Sequence, residues 1–313
     1  MSCPHSSGDR SHDTTSQVTS QVAASGDDLR KTMEALSSGG ILSTKHAQLL
    51  VSLLSTDDVA LLQRVLVTIA NAAAFTSNQN TLRDVGCLSH LTRLLHTHLL
   101  CVTIGQNMTH PSIVNGVVKA IGNLSANEDN QAKIQDCIPA LIQLSSSEKS
   151  SEDLQLASLQ ALTNLSVTST FHPPYTKVIQ QLYELLDDAA NHAVRLQALK
   201  VLVNLSCNAD MVPHLLAAKA PCCLLDLLRS NCDEDLLLRW LTILANISST
   251  SRQLNITYVT LPTQYKAASP ETMYTALYGL NNSAKLKSKV FVLSRHDNES
   301  IRSQATRIYS VLS

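Results

Sequence analysis

From Ile41 to the end of the chain, Leu, Val, Ile and Ala recur at three- and four-residue intervals, in runs separated by short polar breaks. That spacing puts the apolar side chains on one face of successive helices. Residues 1–40 instead are rich in Ser, Thr, Gly and Asp and hold few large apolar groups. Such a stretch buries too little surface to offset the entropy of ordering it, so a disordered tail is predicted there. Ser43 stands where it caps the first helix, which carries Leu49, Leu50, Val51, Leu53 and Leu54.

Five of the runs end alike: Val65-Leu-Val-Thr-Ile-Ala-Asn71, Val117-Val-Lys-Ala-Ile-Gly-Asn123, Ser158-Leu-Gln-Ala-Leu-Thr-Asn164, Ala198-Leu-Lys-Val-Leu-Val-Asn204 and Trp240-Leu-Thr-Ile-Leu-Ala-Asn246. The asparagines stand 52, 41, 40 and 42 residues apart. A helical period of roughly 40–47 residues marks armadillo or HEAT arrays. Polar or acidic residues precede each copy, as at Thr56-Asp-Asp58, His110-Pro-Ser112, Ser151-Glu-Asp153, Asn191-His192 and Asp233-Glu-Asp235, and suit helix N-termini. Short polar turns follow, then further apolar helices over 140–144, 182–186 and 223–228. A short helix and two longer ones make the armadillo unit, and one unit cannot bury its apolar face without a stacked neighbour. The predicted fold class is all-α, a right-handed α-α superhelix (armadillo-repeat solenoid) of about five to six repeats over 41–313. The long first interval leaves an apolar insertion near 96–110, expected to emerge as a loop on one face.

Composition narrows the function. The 313 residues carry a formal net charge of −1, against the basic excess of a nucleic-acid binder. Aromatics at 4%, with 9 Gly and 9 Pro, argue against β-sandwiches, barrels and Gly-rich phosphate-binding enzymes. Eight irregularly spaced cysteines read as small buried hydrophobes of a reducing compartment rather than a disulfide framework. No apolar run reaches the roughly 18 residues of a membrane span, and the first residues hold no secretory h-region. The Asn-x-Ser/Thr triplets therefore read as parts of the repeat and not as glycosylation sites.

Particular stretches carry a family likeness. Residues 61–80, 122–131, 199–211 and 237–246 resemble repeats of the family that comprises armadillo repeat-containing protein 10 and the X-linked armadillo repeat-containing proteins, and the likeness runs over 41–313. The resemblance implies a scaffold on the outer mitochondrial membrane, facing the cytosol, that binds mitochondrial Rho GTPases and kinesin adaptors and influences mitochondrial transport, fission and fusion. It also implies links to the endoplasmic reticulum and to growth regulation. Family members usually begin with a hydrophobic anchor, whereas this chain begins Met1-Ser-Cys-Pro-His-Ser-Ser. As it stands the chain is expected to be cytoplasmic, with membrane attachment only through an anchor it lacks.

In armadillo folds the third helix of each unit lines a concave groove, and the motif puts Asn71, Asn123, Asn164, Asn204 and Asn246 there. An Asn side chain has an acceptor and donors, so these can pair with the backbone of an extended partner without reading its sequence. Alternatively, each bonds to the neighbouring repeat and sets the stacking. Four residues earlier, on the same helix face, stand Val67, Lys119, Gln160, Lys200 and Thr242. Nuclear-import receptors typically carry Trp in that slot, and Trp240, the single tryptophan, falls outside it. Lys119 and Lys200 suit acidic or phosphorylated partners, or are simply solvated.

Basic residues gather near the C-terminus: Lys285, Lys287, Lys289, Arg295, Arg302 and Arg307, interleaved with Val290, Val292, Ile301, Ile308 and Val311. They read as a partner or anionic-membrane surface, or as the polar cap a solenoid needs. No hydrolase, metalloprotease, P-loop or kinase motif is present, and His214 with Cys222, Cys223 and Cys232 lacks CxxC spacing. No catalytic residue, metal or cofactor is expected. The expected function is a non-enzymatic interaction scaffold in mitochondrial transport and dynamics. The alternative is a soluble cytosolic or nuclear adaptor that binds acidic linear peptides and modulates growth or transcription.

Overall fold

The structure is a computed structural model and describes residues 31, 41–103, 110–147, 150–187 and 191–312. Apart from Lys31, the predicted tail over 1–40 lies outside the described residues. Among the described residues the regular elements are helices, and an isolated bridge pairs Lys219 with Thr272. The chain divides into two compact units, residues 1–130 and 131–313.

The first unit holds α1 (Thr44–Leu53), α2 (Val59–Ala73), α3 (Thr76–Asp84), α4 (Cys87–Thr103), α5 (Pro111–Leu124) and the start of α6 (Glu128–Ile134). The Ser43 hydroxyl accepts from the His46 amide at 3.2 Å, and the Asp58 carboxylate accepts from the Ala60 and Leu61 amides. At α5 the device differs: His110 makes no side-chain cap, and Pro111 takes a first-turn position where a missing N–H costs nothing. Helices α2 and α5 pack on each other and bury Val65, Leu66, Ile69, Val117, Val118 and Ile121. Their close approach needs Gly116, because a Cβ there would lie 3.0 Å from Leu66 Cβ. The insertion near 96–110 begins as helix, since α4 runs on to Thr103. Leu91 and Leu95 are buried in α4 and Leu99 half-buried, so one apolar stripe extends the helix where a loop was expected. Residues 104–109 lie outside the described residues.

The second unit holds α7 (Ile138–Ser146), α8 (Glu152–Leu165), α9 (Ile179–Asp187), α10 (His192–Ser206), α11 (Val212–Ala217), α12 (Glu234–Gln253), α13 (Met273–Tyr278), α14 (Leu280–Leu293) and α15 (Glu299–Leu312). Helices α8, α10, α12 and α15 pack in series, backed respectively by α7, α9, α11 and α14. Ser151, Asn191 and Asp233 cap α8, α10 and α12 through the amides of Leu154, Val194 and Leu236. The hydrogen bond from Leu236 holds the Asp233 carboxyl below its ordinary range.

Trp240 is fully buried, packs edge-on against Tyr183 and donates its indole N–H to the Leu224 carbonyl at 3.0 Å. That bond explains a departure from the sequence reading, because 223–228 forms irregular turns rather than a helix. In a helix the Leu224 carbonyl would accept from Leu228, whose amide instead bonds to Leu225. The Asp187 carboxylate pins the same segment by accepting from the Cys222 and Cys223 amides. Trp240→Ala removes the largest buried side chain of the second unit. It is expected to destabilise the protein by about 3–5 kcal/mol in urea unfolding followed by circular dichroism; a change below about 1 kcal/mol would contradict this packing.

Candidate partner-binding surface

A helix leaves its last four carbonyls without an intrahelical partner. In this chain some of the residues that satisfy those carbonyls at the motif helices come from the following repeat. Asn123 Nδ2 donates to the Ala70 carbonyl, in the last turn of α2, at 2.8 Å. In the second unit, Asn204 Nδ2 donates to the Thr163 carbonyl, in the last turn of α8, at 3.2 Å and to the Ser166 hydroxyl at 2.9 Å. Asn246 Nδ2 donates to the Ser206 hydroxyl at 3.0 Å and to Cys207 Sγ at 3.5 Å. The bonds keep register: Ala70 and Thr163 each precede the asparagine of their own repeat, while Ser166 and Ser206 follow theirs by two.

Facing carbonyls and hydroxyls, these amides present nitrogen, and their oxygens point elsewhere. Among the described residues, Oδ1 of Asn123 and Oδ1 of Asn204 accept no hydrogen bond. Asn71 is exposed near the end of α2, and Asn164, half-buried, holds the equivalent place on α8. Lys119 is exposed on α5. Lys200 is half-buried on α10 and donates to Gln197 at 3.3 Å, and Gln197 in turn donates to Thr163 Oγ1 at 2.7 Å. Thus Asn71, Lys119 and Asn123 share the α2–α5 layer of the first unit. Asn164, Lys200, Asn204 and Asn246 share the α8–α10–α12 series of the second.

A second set of polar side chains escaped the sequence reading. Seven and eight positions after Asn71 stand buried Asn78 and Gln79, which donate to the Ala72 and Ala73 carbonyls. Gln79 also donates to the Asn123 carbonyl at 3.0 Å. Asn130 and Gln131 repeat the pair after Asn123: Asn130 donates to Leu124, and Gln131 to the Asn164 carbonyl. After Asn164 the slot holds buried His172, bonded to the Ser166 carbonyl at 2.7 Å and to Asn208 at 3.1 Å. The repeated Asn-Gln dipeptide was the available signal. Arg307 was likewise read only as part of a basic cluster. Its Nη1 donates to Asn246 Oδ1 at 2.9 Å and its Nε to the Ser249 hydroxyl at 3.1 Å.

Among the described residues no three His, Cys, Asp or Glu group to hold a metal ion, and no helix is long and apolar enough to cross a membrane. Burial pushes the Cys87 thiol up to about 12, and burial followed by the Asp187 carboxylate does the same for Cys223. Both thiols therefore stay protonated at neutral pH and are poor nucleophiles and ligands.

Asn204→Ala removes both inter-repeat bonds while the Ser166 hydroxyl still donates to the Thr163 carbonyl, and it is expected to cost about 1 kcal/mol in thermal or urea unfolding; an unchanged midpoint would contradict the inter-repeat bond. Iodoacetamide at pH 8 is expected to label exposed Cys207 and Cys222 in the native protein while sparing Cys87 and Cys223. Peptide mass mapping reads the pattern, and early labelling of Cys87 would contradict its burial.

The family model described as Armadillo-like matches residues 42–267, most of the chain. Among solved structures, the designed armadillo repeat protein YIII(Dq)4CqI superposes with a TM-score of 0.63 at 19% identity, over 85% of this chain and 100% of its own. A second, YIII(Dq.V1)4CPAF in complex with the peptide (KR)4, gives 0.62 at 19% identity, over 85% and 99%. An engineered protein gives 0.61 at 16% identity, over 85% and 96%. At such identities the likeness is one of fold: an all-α armadillo-repeat solenoid. With five motif asparagines at armadillo spacing, in-register bonds between successive repeats and a profile match across most of its length, the chain belongs to the Armadillo-like family.

Proposed function

We propose that this chain is a non-enzymatic protein–protein interaction scaffold whose motif asparagines hold an extended segment of a partner. The observation that carries the reading is the state of Asn123 and Asn204: the amide nitrogen fixes each side chain to the preceding repeat, and each Oδ1 is left without a partner among the described residues. A fixed acceptor pairs with a backbone N–H whatever the partner's side chains, and an extended strand turns its N–H groups alternately to either side. The designed relative in complex with (KR)4 supports peptide uptake by this fold. The basic character of that peptide does not transfer, because Lys200 and Arg307 give the second unit's asparagine series a positive lining.

The finer assignment rests on the resemblance of the repeats to armadillo repeat-containing protein 10 and the X-linked armadillo repeat-containing proteins. On that reading the scaffold works at the cytosolic face of the outer mitochondrial membrane. There it regulates mitochondrial transport and dynamics through mitochondrial Rho GTPases and kinesin adaptors. The second reading, an adaptor for acidic linear peptides in growth or transcription, is favoured by the same two cations. Co-precipitation from cells expressing the chain on a fused outer-membrane anchor separates them. Enrichment of mitochondrial Rho GTPases and kinesin adaptors, reduced in the Asn123→Ala, Asn204→Ala double variant, is the expected result. Recovery no greater than that of an unrelated armadillo protein overturns the trafficking assignment.

A further inference from the structure

We infer that the second unit binds an oxyanion of its partner, a carboxylate or phosphoryl group on an acidic peptide segment, at Arg307 where α15 meets α12. This rests on the peptide-scaffold reading and adds to it a place and a charge.

Arg307 sits on α15 in the slot that Asn246 fills on α12. Asn246 reaches back to Ser206, two residues after Asn204; Arg307 reaches back to Ser249, three residues after Asn246, and to Asn246 itself. The rung therefore differs from the others. The Asn246 oxygen, which would otherwise meet a partner's N–H, is taken by the guanidinium, and a cation stands in its place. A guanidinium carries five N–H donors in one plane. Two donor nitrogens of Arg307 are engaged, and among the described residues its Nη2 makes no bond. The side chain is exposed, and no carboxylate pairs with it there.

The acidic groups of this part of the second unit stand toward the opposite end of the seam, with Asp297 and Glu299 at the start of α15, eight or more positions before Arg307. Asp235 pairs with Arg239 and Glu234 accepts from Asn298, both at the far end of α12. Arg252, one turn beyond Ser249, donates to the Ser310 carbonyl at 3.2 Å and brings a second exposed guanidinium to the same seam. A fork already held by Ser249 and Asn246 loses little further rotamer freedom when it takes an oxyanion, and it matches a carboxylate or phosphoryl group in two parallel bonds. Two cations without a carboxylate partner along one seam favour an acidic segment over a basic one.

The test uses the full chain and fluorescence anisotropy with three labelled octapeptides: (Glu-Ser)4, its phosphoserine counterpart and (Lys-Ser)4. Wild type is expected to bind the acidic peptides more tightly than the basic one, with affinity falling as salt rises. Arg307→Gln is expected to weaken acidic-peptide binding about tenfold and to flatten the salt dependence. Arg307→Lys, which keeps the charge without the fork, is expected to retain part of the affinity, and the melting midpoint of each variant separates a binding loss from a folding loss. A larger effect on the phosphoserine peptide identifies a phosphoryl group as the preferred source; a larger effect on (Glu-Ser)4 identifies a carboxylate. Equal affinity of wild type and Arg307→Gln for both acidic peptides overturns the inference. If those peptides still lose affinity in the Asn123→Ala, Asn204→Ala variant, the scaffold reading survives that result. Binding of none of the three peptides by wild type overturns both.

Discussion

The carbonyls left without an intrahelical partner at the ends of the motif helices are the constraint on which this architecture turns. Apolar burial drives the repeats together but is non-directional, and many slightly shifted stackings would bury nearly as much surface. A carbonyl closed off by the next repeat tolerates far less, since leaving it unpaired costs about 1–3 kcal/mol. Asn123 against Ala70 and Asn204 against Thr163 meet that demand from the following repeat's third helix. Gln79, Gln131 and His172 meet it from the segments between the motif helices. Each bond forms only in one register, so the polar side chains select among the arrangements that apolar packing permits.

On the proposed reading, binding capacity follows from the same bonds. An asparagine that must present nitrogen to a carbonyl presents oxygen elsewhere, already oriented and short of a partner. A surface of such oxygens recognises backbone rather than side chains, which suits a scaffold that reads shape and extension. Selectivity then has to come from residues interleaved with the asparagines. In the second unit the proposed candidates are Lys200, tied through Gln197 to Thr163, and Arg307, tied to Ser249 and Asn246.

Much of this was legible in the amino-acid order because it is written in identical residues at a fixed interval. The five asparagines, the capping residues Asp58, Ser151, Asn191 and Asp233, and the apolar stripes of α2, α5, α8, α10 and α12 follow one repeat, lengthened once by the insertion near 96–110. What escaped detection obeys the geometry but not the letter. His172 fills a slot held by glutamine in the earlier repeats, and Arg307 fills one held by asparagine. The residues between α12 and α13 then lengthen the last interval to 61, which hides the final rung from any search by spacing. The 223–228 segment has helical composition, yet a tertiary bond from Trp240 removes the carbonyl a helix would need. Local pattern cannot register a competitor that arrives from elsewhere in the chain.

The central claim is that one face of the asparagine series both joins the repeats and receives the partner. Selective 15N labelling of asparagine, with side-chain amide resonances followed during titration with (Glu-Ser)4, tests it directly. The side-chain signals of Asn164, Asn204 and Asn246 are expected to move together and saturate, while those of Asn255 and Asn298 stay in place. Saturating shifts at Asn255 or Asn298 with Asn204 unmoved would put the partner on another surface and contradict the claim.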